Sequence, residues 1–219
     1  MDSIKATKLT YFDDMWKLQS KASLISCIQG EDGRRALILD STIFHPQGGG
    51  QPSDTGFITL AASDSKFIVQ DTRLKDGLVF HYGYFENAGE DGDPELREGQ
   101  EVCLYVDEAR RNLNSRLHSA GHLLDICVQN VGWVHLRPGK ANHFPDGDGN
   151  RVEIPEIAVK YSMSVFYRME STPRIVKLGE HPGCPCGGTH VVDISEIRSL
   201  KVGQIRTKKG VTKISYTVD

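Results

Sequence analysis

Short apolar runs broken by turn residues fill the first hundred positions. KASLISCI (21–28), RRALILD (34–40), SKFIVQDTR (65–73), GLVFHYGYF (77–85) and QEVCLYVD (100–107) are separated by QGEDG, GGGQPSDTG, KDG and NAGEDGDPE. RRALILD comes close to strict alternation. Short strands at this spacing predict a small barrel or sandwich. The pattern then changes. DEARRNLNSRLHSAGHLLDICVQN (107–130) has no proline and a single glycine, Gly121. Leu113, Leu117, Leu124 and Val128, joined by Ala120 and Ile126, fall close to helical spacing. Asp107 is a suitable N-cap and Glu108 suits a first turn, so the stretch predicts a long helix.

Beyond Val131, RPGKANHFPDGDGN reads as turns and RVEIPEIAVKYSMSVFYRM as strand with an undefined middle. PRIVKLG, HVVDISEI, SLKVGQIRTKK and VTKISYTV read as strands or strand ends, with KKG as a hairpin turn. The expected fold class is α+β: a small N-terminal β-barrel followed by an α/β part with a mostly antiparallel sheet and a long helix. The turn-rich EDGDPELREGQ is the expected boundary, giving domains 1–97 and 98–219.

Composition narrows the class of protein. The 219 residues are 38% hydrophobic and 25% charged, ordinary for a globular chain. No apolar run approaches the roughly 20 residues of a membrane span, and MDSIKATKLT has no secretory h-region, so the expectation is no membrane and a cytoplasmic location. Five cysteines, an odd and sparse set, do not make a disulfide framework. A net charge of -3 argues against binding nucleic acid by bulk electrostatics. Arg110, Arg111 and Arg116 form one basic cluster, and Lys201, Arg206, Lys208, Lys209 and Lys213 another. Both read first as solvated surface.

Candidate chemistry lies in two places. On the predicted helix, His118 and His122 of HSAGH are four apart and share a face. Alone, the pair fits a polar groove as well as a metal. Near the C-terminus, CPCGGTH (184–190) holds Cys186 and His190, also four apart, with glycines that let a loop aim both inward. A buried small side chain for Cys186 and a strand-end place for His190 are the plain alternatives. Together the four give nitrogen and sulfur donors suited to zinc, with Cys184 an ambiguous neighbour. The H-E-x-x-H protease arrangement is excluded, because Ser119 follows His118.

HPQGGGQPSDTG (45–56) matches neither a phosphate loop nor a dinucleotide fingerprint. Taken in order, GGGQPSDTG, RLHSAGHLLD, PGKANHFPDG and CGGTHV resemble the AlaX family of alanyl-tRNA editing proteins, relatives of the editing domain of alanyl-tRNA synthetase. KLTYFDD and IRTKKGVTKISYTV resemble the family's opening strand and final hairpin. The likeness spans most of the chain and favours the form with an N-terminal barrel (AlaX-M-like).

The resemblance implies a trans-acting hydrolase that removes misattached amino acids, chiefly serine and in some members glycine, from the 3′ end of alanine tRNA. It implies Zn²⁺ held by His118, His122, Cys186 and His190. It places Gly48, Gly49, Gly50 and Gln51 beside the pocket to receive the tRNA 3′ end, with Lys140 and His143 nearby. Ser119 and Thr189, flanking metal ligands, are the candidate polar groups of catalysis and serine discrimination. His190 is the expected loosely held ligand. No protein partner is implied.

The chain departs from the family pattern at His45 and Gln47, where tyrosine and glutamate are more usual, and at Lys213, where arginine is. Gly121 stands where a larger residue is frequent, and the run from Val152 to Pro173 is short. A zinc-stabilised RNA-binding protein without catalysis, and a metal-dependent hydrolase of another small ester or amide, are the alternatives.

Overall fold

A computed structural model describes residues 5–30, 33–60, 65–86, 94–136, 139–145, 150–155 (as backbone) and 174–219. The chain forms two compact units: Met1–Gly48 with Pro52–Arg111, and Gly49–Gln51 with Asn112–Asp219.

In the first unit, β1 (Lys8–Leu9) pairs in parallel with β4 (Ser41–Thr42). The remaining strands are β2 (Gln19–Gln29), β3 (Arg35–Leu39), β5 (Gly56–Leu60), β6 (Lys66–Lys75), β7 (Leu78–Phe85) and β8 (Glu101–Val106). They close into an antiparallel barrel in the order β2-β3-β7-β6-β5-β8. The barrel therefore takes the place of the sandwich that the strand spacing also allowed. Alternate residues fill its interior, as the period of two requires: Val102, Leu104 and Val106 from β8, Ile58 and Leu60 from β5, Phe67 and Val69 from β6.

Arg111 and His81 are among the buried polar residues of this unit. Arg111, expected at the surface with its basic neighbours, is 2% exposed. Its Nε donates to both carboxylate oxygens of Asp54 at 3.1 and 3.0 Å, and its Nη2 to the carbonyl of Ile43 at 2.6 Å. The backbone N–H of His45 also donates to Asp54, at 2.6 Å. His81 is fully buried; its Nδ1 donates to the Leu37 carbonyl at 3.0 Å and its Nε2 accepts from Thr42 at 2.8 Å.

The helix α1 (Glu108–Asn130) begins where its cap predicts, with the Arg110 N–H donating to the Asp107 carboxylate at 3.0 Å. In the second unit, Leu117, Ala120, Leu124 and Val128 of α1 bury one face against Leu136, Ile197, Ile214 and Tyr216. Each buried leucine contributes about 1.5–3 kcal/mol relative to exposure.

That core is backed by an antiparallel sheet. Among the described residues its order is β13-β14-β10-β9, with β9 Ala141–Asn142, β10 Asn150–Pro155, β13 Leu200–Lys208 and β14 Val211–Val218. Lys209 and Gly210, both at positive φ, make the predicted hairpin turn between β13 and β14. A short ribbon pairs β11 (Ile175–Val176) with β12 (Cys184–Pro185). Of the strand expected across 151–169, residues 151–155 lie in β10 and the remainder falls outside the described residues, as does most of the short 152–173 run. Among the described residues no helix is long and apolar enough to cross a membrane.

Candidate metal centre

The polar face of α1 is buried too. Ser115, His118 and Ser119, with Gly121, are all turned inward, and His122 is partly buried on the same side. The loop after β12 meets them. The ligand atoms of His118, His122, Cys186 and His190 all lie within 4.8 Å of one another. Cys186 Sγ is 3.4 Å from His118 Nε2 and 3.3 Å from His190 Nε2. Donors around a tetrahedral zinc with bonds of about 2.0–2.3 Å stand roughly 3.3–3.8 Å apart, so the two Cys186 spacings fit.

Two further observations support the fit. His122 Nε2 is buried without a hydrogen-bond partner among the described residues. Burial lowers the His122 pKa and raises that of the Cys186 thiol. The first favours a neutral imidazole, as a ligand must be; the second means that the thiol, although Arg174 and the Gly188 N–H act to lower its pKa, would need a bound cation to become the thiolate a metal takes.

Neighbouring side chains orient the donors. Nδ1 of His118 donates to Gln51 Oε1 at 2.6 Å, which leaves Nε2 with a lone pair toward the cluster. Gln51 is fully buried and itself anchored. Its Oε1 accepts from the Thr189 N–H at 3.0 Å, its Nε2 donates to Thr189 Oγ1 at 2.8 Å, and that hydroxyl pairs with Ser115 at 2.7 Å. Ser119 Oγ lies 3.1 Å from His190 Nδ1 and accepts from the Val191 N–H at 3.2 Å. The loop is held by Arg174, whose Nη1 donates to the carbonyls of Cys186 and Gly188 at 2.9 and 2.8 Å. A Cβ at Gly188 would come within 2.1 Å of the His118 ring, so only glycine lets the loop pass.

A cavity of about 650 Å³ adjoins the cluster. Gly49 and Gly50, His118 and His122, Lys140 and His143, and Cys184 and Cys186 line it, together with Asp125. Gly50, at φ +81°, passes against Ala141, where a Cβ would lie 2.4 Å from the carbonyl oxygen, and its own carbonyl accepts from the His143 N–H at 2.9 Å. His143 is buried, hydrogen-bonds Tyr216 and stacks on His118 with ring centres 4.9 Å apart. Its pKa is pushed down to about 4 by burial, with His122 adding to the effect. Tyr216 in turn donates to the Leu117 carbonyl at 2.9 Å.

Some expected residues stand elsewhere. Ser119 and Thr189 do not line the cavity; both are buried behind the ligands. Gln51 lies with them, and Gly48 belongs to the barrel unit. Cys184 Sγ is 3.5 Å from His122 Nδ1, at the edge of the cluster. Asp125 was not singled out from sequence, although it follows His118 and His122 at helical spacings of seven and three. Arg174 and Tyr216 carried no local signal.

A closed barrel in one unit and a His/Cys cluster in the other occur here in a chain whose relatives are synthetase-related proteins. The family described as tRNA synthetases class II (A) matches residues 4–110. The alanyl-tRNA editing protein AlaX-L of Pyrococcus horikoshii is 30% identical over 94% of this chain and 57% of its own length. The alanine–tRNA ligase of Sulfurisphaera tokodaii is 25% identical over 98% of this chain, and that of Methanosarcina barkeri 31% over 64%. The chain belongs to the AlaX family. It spans 57% of the archaeal editing protein and 26% and 14% of the two ligases.

Proposed function

We propose that the chain is a trans-acting editing hydrolase that cleaves the ester between a misattached amino acid, chiefly serine and secondarily glycine, and the 3′ end of alanine tRNA. The carrying observation is the convergence of His118, His122, Cys186 and His190, the first three of which line a cavity together with Gly49 and Gly50. The names of the relatives, an alanyl-tRNA editing protein and alanine–tRNA ligases, point to the same substrate.

In this reading the four residues hold Zn²⁺. A bound zinc ion supplies Lewis acidity for an ester carbonyl or an attacking water. The chain's own residues then have separable tasks. Gln51 fixes the tautomer of His118, and Ser119 holds the ring of His190. Thr189 acts through Gln51, so Ser119 and Thr189 support the reaction by positioning and not by touching substrate. Gly49 and Gly50 present bare backbone to the terminal ribose. Lys140, exposed at the rim, meets phosphate, and neutral His143 packs beside the ester. The protein works in the cytoplasm on tRNA that another enzyme has charged.

Incubation with seryl-tRNA and alanyl-tRNA of alanine tRNA tests this. Release of serine at catalytic protein concentrations, with alanine retained, is the expected result. Tight binding of the charged tRNA without release would replace the hydrolase with a zinc-stabilised RNA-binding protein. Neither binding nor release would point to another small ester or amide.

A further inference from the structure

Asp125 stands on the same helical face as His118 and His122, one turn beyond the second histidine, and lines the cavity beside the cluster. It also lines a second cavity, which reaches to His181 and Gln129 and has His122 and Cys184 in its wall as well. Among the described residues around the first cavity it is the only carboxylate. Its Oδ1 is buried and has no hydrogen-bond partner among the described residues. A buried carboxylate oxygen left unpaired is destabilising, because water is lost without replacement. Burial raises the Asp125 pKa to about 7, which expresses the same penalty.

A carboxylate kept in such a place calls for a cation delivered from outside. The remaining lining side chains do not provide one: among the described residues none hydrogen-bonds its Oδ1, and Lys140 sits at the exposed rim. Resting on the editing reading above, we propose that Asp125 receives the α-ammonium group of the aminoacyl ester, so that the substrate class is the ester with a free amine. Esters whose amine is absent, or is acylated as in peptidyl-tRNA, then lose this pairing, and acylated ones also place an uncharged bulky group against the carboxylate.

The test measures binding apart from turnover. The probes are the amide of serine with 3′-amino-3′-deoxyadenosine and the matching amide of 3-hydroxypropanoic acid, which lacks only the amine. Titrated calorimetrically into the zinc-loaded full chain, the serine amide should bind about 10-fold tighter, the size of one charge-assisted hydrogen bond. In Asp125→Asn the two should bind within about 2-fold of each other, with zinc content unchanged, and Asp125→Ser should behave alike. With seryl-tRNA the variant should raise KM more than it lowers kcat. A preference for the amine that survives in Asp125→Asn overturns the inference, and so does equal binding of both amides by the natural chain. Binding of neither amide overturns the editing reading along with it.

Discussion

Oε1 of Gln51 lies 2.6 Å from Nδ1 of His118, across 67 positions of sequence. The contact decides which nitrogen of His118 is left to bind metal. Replacing Gln51 with leucine keeps the volume and removes the acceptor. Zinc affinity should fall about 10–100-fold, the usual range when a ligand's supporting hydrogen bond is lost. Competition against a chromophoric chelator measures this, and an unchanged affinity would show that His118 needs no such support.

The ligands themselves should not be equivalent. His122 comes from the middle of α1, while His190 comes from the loop pinned by Arg174. His122→Ala is expected to lose zinc and deacylation together, and His190→Ala to keep part of its zinc on the other three donors. Equal, full occupancy in both variants, by elemental analysis, would remove the zinc assignment.

Gly121 is where the helix admits the His143 ring: a Cβ there would be 2.3 Å from Cε1 of His143. Gly121→Ala should therefore destabilise the second unit by about 1–3 kcal/mol, the ordinary result of overfilling a packed site. Adding His143→Ala should recover much of that loss. Additive losses in the double variant would mean that the two residues do not compete for one space.

In the barrel unit, Asp54→Ala would leave the Arg111 guanidinium buried with no counter-charge. A loss of about 3–5 kcal/mol is expected from chemical denaturation, several times that of a surface ion pair such as Lys21–Glu101.

His81 gives the barrel a pH dependence. Burial lowers its pKa from 6.5 to about 4 in the folded chain, so between these values the unfolded chain holds the extra proton. Its contribution is complete above pH 6.5 and is lost as pH falls toward 4, by up to about 3 kcal/mol. Urea midpoints taken across that range should drop in the natural chain and drop less in His81→Gln.

What sequence discloses follows from how far apart the interacting groups are. The helix was legible because Asp107, Leu117, Leu124 and Val128 act within a few turns, and the last hairpin because Lys209 and Gly210 settle it locally. The four residues that cluster where they could hold a metal were legible through two short spacings. Arg111 was not, since its partner Asp54 is 57 positions away and nothing beside it betrays burial. Closure was equally hidden. It depends on β8 pairing with both β2 and β5, and β8 comes after the turn-rich stretch that looks like an end of the first part. Ser119 and Thr189 adjoin His118 and His190 in sequence, but helix and loop geometry turns adjacent residues in different directions, so Ser119 meets His190 and Thr189 meets Gln51, contacts that sequence does not announce.

Three residues taken from a glycine-rich stretch, Gly49–Gln51, are grouped with the unit that holds the His/Cys cluster, although the 60 residues 52–111 separate them from the rest of it. A descendant that inherited only the C-terminal half would keep every donor atom yet arrive without the carboxamide that aims the first of them. In such a piece nothing from the glycine-rich stretch would remain to choose the tautomer of His118.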